Sequence, residues 1–139
     1  MRRGLGRGRT LIALGAIAVI VSMPFAWLRV GGVVLSAETA NGFQGSGVLT
    51  FVACIVMLAL IVLPYASRSR RSALDRALAY LLCWIAATVG LVGQVVRILG
   101  TEGSSISPAD APGLWLAVGG MAVITWGLLE LFAERASAP

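Results

Sequence analysis

Four long apolar segments, separated by short polar ones, follow one another along the chain. They cover approximately residues 11–30, 47–66, 77–99 and 114–133. Each contains about 20 residues, which is the length of helix that crosses about 30 Å of hydrocarbon. The connecting segments are too short to form a further domain. We therefore predict one integral membrane domain, 1–139, of the all-α class: an antiparallel four-helix transmembrane bundle with short loops.

The third segment has two chemically different faces when its residues are placed at helical spacing. One face carries small and polar residues, namely Tyr80, Cys83, Ala87, Gly90, Gln94 and Arg97, and alongside them Ala79, Ala86, Gly93 and Gly100. The opposite face carries large aliphatic residues, namely Leu78, Leu81, Leu82, Ile85, Val89, Val92 and Val96. Small residues let helix backbones approach each other in membranes. We expect the first face to meet other helices and the second to meet lipid.

The composition agrees with a membrane location and excludes two other classes. Apolar residues make up 58% of the 139 residues and charged residues 12%, which fits neither a soluble domain nor a disordered chain. The 11 basic residues are all arginine, a usage typical of high-GC bacterial coding beside so much Ala, Gly, Val and Leu. In this setting we expect arginines to contact anionic lipid headgroups and not nucleic acid.

The arginines also predict the orientation. If the N-terminus is cytoplasmic, nine arginines lie inside and only Arg29 and Arg97 lie outside. The nine are Arg2, Arg3, Arg7, Arg9, Arg68, Arg70, Arg71, Arg76 and Arg135. Short cytoplasmic loops carry an excess of basic residues, so both termini are predicted to face the cytoplasm, with the chain in the plasma (inner) membrane.

Local signals refine the first segment and the loops. The N-terminal apolar run is too long for a secretory signal and is interpreted as an uncleaved span. Pro24 predicts a kink in its outer third. The residues 33–35 are compatible with a short strand, and Asn41-Gly42 with a tight turn. Six aromatic residues are interpreted as membrane-interface belts: Trp27, Tyr65, Tyr80, Trp84, Trp115 and Phe132.

Several kinds of catalysis are excluded by residue type. The chain contains no His and no Lys, so it has no imidazole base, no His metal ligand and no Lys for Schiff-base chemistry. Cys54 and Cys83 lie inside apolar segments, where free thiols behave as small inert hydrophobic groups. We predict no catalytic, cofactor-binding or metal-binding residue, and no enzyme activity.

Three polar residues are predicted to converge near the outer surface: Arg29, Gln94 and Arg97. One interpretation is a vestibule that attracts anions or lipid headgroups. The other, which we favour, is that the two arginines reach phosphates or pair with Glu38, Glu102 or Asp110.

The fourth segment places Glu130 about one turn from its cytoplasmic end. It shares a face with Trp115, Gly119, Ala122 and Trp126, whereas a second stripe contains Gly113, Ala117, Gly120 and Gly127. An intramembrane carboxylate is compatible with a proton or cation relay. We favour the alternative that Glu130 reaches water or pairs with Arg76.

One part of the sequence resembles a known pattern. Pro24-Phe25-Ala26-Trp27, followed by Asn41-Gly42-x-x-Gly45-x-Gly47-Val48-Leu49-Thr50, resembles small bacterial four-span membrane proteins of unassigned function. This resemblance implies a topology and no activity. The chain lacks the first-helix glutamate of small multidrug exporters and the paired cysteines of quinone-linked thiol oxidases.

The sequence thus favours a non-enzymatic polytopic membrane protein that serves as an accessory or assembly subunit of a larger membrane complex. Its expected partners are the lipid bilayer and other membrane subunits or further copies of itself. The alternative is a small oligomeric transporter or channel with Arg29, Gln94, Arg97 and Glu130 in its pathway.

Overall fold

The computed structural model describes residues 6–30, 38–66, 73–100, 104–105 and 107–136. Of these, residues 30, 38–39, 64–66, 73–76, 104–105 and 135 are described by their backbone alone. The strand predicted at 33–35 lies outside the described residues.

Helices dominate the described part of the chain, as the sequence predicts. They are α1 (Arg7–Ser22), α2 (Gly47–Ala66), α3 (Ala73–Leu99) and α4 (Pro112–Ala136). The bounds of α2 match the prediction, and α3 and α4 extend a few residues beyond it. Pro112 is the first residue of α4, a position where a missing N–H has no intrahelical cost.

The prediction of one helix over 11–30 is wrong. Helix α1 begins at Arg7 and ends at Ser22, and the chain passes Pro24 before it enters a strand. Pro24 therefore follows the helix and does not kink it. The residues after it, rich in aromatic and branched side chains, suit a strand better than a helix.

Three short strands form a small antiparallel sheet that the sequence analysis did not predict. They are β1 (Ala26–Val30), β2 (Glu38–Asn41) and β3 (Ser104–Ser105), in the order β2-β1-β3. Arg29 lies opposite Thr39 on one side and Ser105 on the other. The sheet thereby ties the connections after α1 and α3 together at one end of the helices.

Helices α1 and α4 run antiparallel and approach through their backbones. A methyl group at Gly8 would lie 2.8 Å from the carbonyl oxygen of Gly127. A methyl group at Gly113 would lie 2.8 Å from the carbonyl oxygen of Ser22. Small residues spaced seven apart thus meet along the whole of α1: Gly8, Gly15 and Ser22 lie opposite Gly127, Gly120 and Gly113. The stripe of small residues predicted on the fourth segment is the one that packs against this helix.

Helices α2 and α3 form the second antiparallel pair. The predicted inward face of α3 is confirmed in part, since Tyr80, Ala87, Gly90 and Gln94 are buried. The rest of that face is partly buried at Ala79, Cys83 and Ala86, and exposed at Gly93, Arg97 and Gly100. The predicted lipid-facing residues are exposed, apart from Leu81, which is partly buried. Further contacts join α1 to α2 and α3 to α4.

The expectation of four helices of spanning length is met only in part. In the described residues, the stretches Ala77–Leu99 and Pro112–Glu134 are long and apolar enough to cross a membrane. In α2 the stretch whose side chains are described, Gly47–Leu63, is shorter than these two, and α1 has 16 residues, or about 24 Å of helix.

Candidate functional site

The loop between β2 and α2 folds tightly over the end of the helices. The side-chain oxygen of Asn41 accepts a hydrogen bond from the amide of Phe43 at 3.2 Å. The amide of Gly42 donates to the carbonyl of Met23 at 2.9 Å. Gly45 has φ +66°, a left-handed conformation that favours glycine. The chain does turn at Asn41-Gly42, where the amide of Gln44 donates to the carbonyl of Asn41 at 3.3 Å, but the positive φ expected of an Asn-Gly turn lies at Gly45 instead.

Gln94 and Arg97 of α3 lie against this loop. The hydroxyl of Ser46 donates to the Oε1 atom of Gln94 at 3.4 Å, and the Gln94 side chain is only 2% exposed. The Arg97 guanidinium lies over the α-carbon of Gly45, with no room for a side chain between them. The two polar residues of α3 thus hold the loop onto the helix end.

One turn deeper, a second polar contact joins α2 to α3. The buried hydroxyl of Thr50 donates to the carbonyl oxygen of Ala87 at 3.0 Å. A methyl group at Gly90 would lie 2.8 Å from the backbone nitrogen of Thr50. Glycine at this position lets the two backbones come close enough for the Thr50 hydroxyl to reach across.

Trp27 of β1 fills the centre of the same end. Its side chain is fully buried, and its Nε1 atom donates to the carbonyl of Ser22 at 2.9 Å. Gly42 lies against one part of the ring system and Gly113 against another. Trp27 therefore packs between the loop and α4, and its assignment to an interface belt is wrong. Tyr80 is also buried, so its assignment to an interface belt is wrong as well.

Arg29 follows two residues later on the exposed side of β1. Its Nη1 atom is 3.2 Å from Oδ1 of Asp110, in the turn before α4. The other carboxylate oxygen of Asp110 accepts from the Ser107 hydroxyl at 2.9 Å. The pairing predicted for Arg29 is thus confirmed with one of the three acids considered; the side chains of Glu38 and Glu102 lie outside the described residues.

Glu130 lies at the opposite end, on the outside of α4. The Nε1 atom of Trp126 donates to its Oε1 atom at 3.1 Å. The shared face predicted for these residues is confirmed, and it points outward because Trp115 and Trp126 are 50% and 64% exposed. Arg76, the predicted partner of Glu130, has a side chain outside the described residues.

The four candidate residues are therefore distributed over three different contacts. Gln94 and Arg97 hold the loop, Arg29 holds the turn before α4, and Glu130 bonds to Trp126 near the far end of that helix. Sequence reasoning missed Trp27, Ser46 and Thr50. Residues 25–30 do not alternate between apolar and polar side chains, so the one available signal was their aromatic and branched character after Pro24, which favours a strand.

The described part of the chain contains no candidate metal site. It contains no group of three or more His, Cys, Asp or Glu side chains arranged to hold an ion. Cys54 and Cys83 are free thiols.

No family model, curated protein or solved structure matches the chain.

Proposed function

We propose that the chain is an integral membrane protein whose four helices all lie in the bilayer. Large apolar side chains are exposed on the outside of every helix, as at Leu14, Ile55, Leu82 and Leu129. Soluble monomers rarely expose apolar surface of this extent. A lipid environment removes its cost, since hydrocarbon tails solvate these side chains as well as a protein core does.

Packing supports four crossings, although in the described residues only α3 and α4 contain a stretch long and apolar enough to span. Gly8 lies opposite Gly127, and Ser22 lies opposite Gly113, near the start of the apolar stretch of α4. A bilayer crossed by α4 therefore surrounds α1 over most of its length. The same reasoning places α2 beside α3, because Thr50 bonds to Ala87 in the middle of the apolar stretch of α3.

The orientation follows from the arginine distribution. The end of the bundle with Arg7 and Arg9 is the basic end of the chain. In the described residues, the sheet end holds only two arginines, Arg29 and Arg97, and Arg29 pairs with Asp110. We place the sheet outside and both termini in the cytoplasm, as the positive-inside rule favours.

The protein acts through assembly with other membrane subunits, as a non-enzymatic accessory component. One observation carries this proposal: the buried polar groups in the described helices bond to the chain itself. Ser22 donates to Val19, Thr50 donates to Ala87, and Gln94 accepts from Ser46. Interior groups engaged in this way strengthen helix packing, and they leave the lipid-facing surface as the part available for partners.

Purification from membranes in mild detergent tests the proposal. We expect a foreign membrane subunit to co-purify in fixed stoichiometry, and the assembly of that subunit to fall in cells that lack the chain. A tagged, unrelated four-span protein serves as the control for non-specific capture.

The transporter alternative makes a different prediction in liposomes. Ion flux that depends on the reconstituted chain and is abolished by Glu130→Gln or Arg97→Ala would contradict the accessory role. Liposomes that stay tight, together with a stoichiometric complex, would support it.

A further inference from the structure

The outward face of α1 carries a seam of exposed residues that no other described helix covers. The spacing alternates between three and four residues, which is the heptad pattern of a helix that packs against a partner. Its members are Arg7, Thr10, Leu14, Ile17 and Val21, all exposed. This seam is separate from the buried stripe through which α1 meets α4.

Helix α4 carries a matching outward seam. Its members are Trp115, Gly119, Ala122, Trp126 and Leu129, again spaced by three and four and all exposed. A methyl group at Gly119 would meet no atom within 4 Å. Between the two tryptophans the surface therefore has a notch, lined by Gly119 and Ala122, into which larger side chains fit.

The contacts between α1 and α4 within one copy give a measure of depth in the membrane. Gly8 lies opposite Gly127, and Gly15 lies opposite Gly120. In each pair the two residue numbers add to 135, so any residue of α1 and any residue of α4 whose numbers add to 135 lie at the same depth, which we call a level. A second copy with the same orientation places its residues at the same depths. The two seams can thus be compared level by level.

We propose that the α1 seam of one copy docks onto the α4 seam of a second copy, antiparallel and head to tail. The register that fits best is displaced from the common level by one residue, or about 1.5 Å. A small residue then faces a large one in the three central layers. The layers are Arg7 with Leu129, Thr10 with Trp126, Leu14 with Ala122, Ile17 with Gly119, and Val21 with Trp115.

Charge favours this pairing over a symmetric one. In the head-to-tail arrangement Arg7 of one copy comes to the level of Glu130 of the next, where the carboxylate is already held on the outside of α4 by Trp126. A two-fold α4–α4 contact between copies of the same orientation would instead bring two Glu130 carboxylates to one depth. Head-to-tail contacts close into rings when the rotation permits.

Cysteine cross-linking in membranes tests the proposal, which rests on the proposed membrane placement. In a background with Cys54→Ala and Cys83→Ala, we combine Leu14→Cys with Ala122→Cys and oxidise. Each copy then has one thiol on each seam, so we expect a ladder of dimers, trimers and higher forms. The control pair, Ile55→Cys with Leu82→Cys on the outward faces of α2 and α3, should stay monomeric.

The single variants distinguish the geometries. Neither Ala122→Cys alone nor Leu14→Cys alone should give a dimer. Membranes that contain both single variants should give dimers and no larger forms. Dimers from Ala122→Cys alone would overturn the head-to-tail arrangement. If the chain resists carbonate extraction but gives no ladder, this inference is overturned and the proposed function stands. If carbonate releases the chain from the membrane, both are overturned.

Charge reversal gives a second measurement that does not depend on new cysteines in the notch. Arg7→Glu and Glu130→Arg should each weaken association of the chain about tenfold, the scale of one interhelical polar contact. The double variant should restore association, because the pair is then reversed and intact. Equal weakening in all three variants would overturn the proposed Arg7–Glu130 contact.

Discussion

Gly15 and Gly120 lie so close that each occupies the space of the other's missing side chain. A methyl group at Gly15 would lie 2.6 Å from the carbonyl oxygen of Gly120, and one at Gly120 would lie 2.8 Å from that of Gly15. The neighbouring Gly119 faces outward into open space. Two adjacent glycines of one helix therefore have opposite roles, one in packing and one on the surface.

This relationship predicts opposite effects of the same substitution. Gly120→Ala should lower the free energy of unfolding by about 1–3 kcal/mol, because the added methyl group forces α1 and α4 apart. Gly119→Ala should leave it unchanged or raise it by up to about 1 kcal/mol, since alanine favours a helix more than glycine does. Unfolding by SDS in mixed micelles measures both, and equal destabilisation by the two variants would contradict the close contact.

Trp27 and Trp126 offer a second matched pair. Trp27→Ala should destabilise the fold by about 3–5 kcal/mol, because it leaves a cavity between the loop and α4 and removes the hydrogen bond to Ser22. Trp126→Ala removes an exposed ring and should change the stability of the monomer by no more than about 0.5 kcal/mol.

Tryptophan fluorescence gives an independent check on the same pair. Brominated lipids should quench Trp126 strongly and Trp27 hardly at all. Comparison of the Trp27→Phe and Trp126→Phe variants isolates the two contributions, and quenching that falls equally in both variants would place Trp27 at the lipid surface after all.

Periodicity predicted the second, third and fourth helices well because their environment is uniform along their length. The faces of α3 could be assigned from the alternation of Leu82, Ile85 and Val89 with Ala87 and Gly90. In such segments a residue's size and polarity correspond directly to what it touches.

The first segment could not be predicted in the same way. Its apolar character continues past Ser22 into β1, but the reason for burial changes there from helix packing to the fit of Trp27 under the loop. A window of about 20 residues averages over both. The contact of Gln94 with Ser46 was likewise invisible, because it joins positions 48 residues apart.

Gly45 provides the third test. Gly45→Ala should destabilise the fold by about 1–2 kcal/mol, since alanine is strained at this positive φ and its methyl group displaces the Arg97 guanidinium. Gly100→Ala is the matched control, because a methyl group there would meet the carbonyl oxygens of Val96 and Arg97 at ordinary contact distances of 3.5 and 3.6 Å. Thermal denaturation in detergent compares them, and a loss at Gly100 as large as that at Gly45 would contradict the role of the loop.

Arg29 and Asp110 should couple weakly and in a salt-dependent manner. Both side chains are partly exposed, so a double-mutant cycle of Arg29→Ala and Asp110→Ala should give a coupling of about 0.2–1 kcal/mol. Asp110→Ala should cost more than Arg29→Ala by itself, because Asp110 also accepts the Ser107 hydroxyl. In about 1 M salt, where charges are screened within about 3 Å, the coupling should fall towards zero while the extra cost of Asp110→Ala persists. Coupling of the same size at low and high salt would mean that the pair is not a solvent-exposed ion pair at the sheet end of the helices.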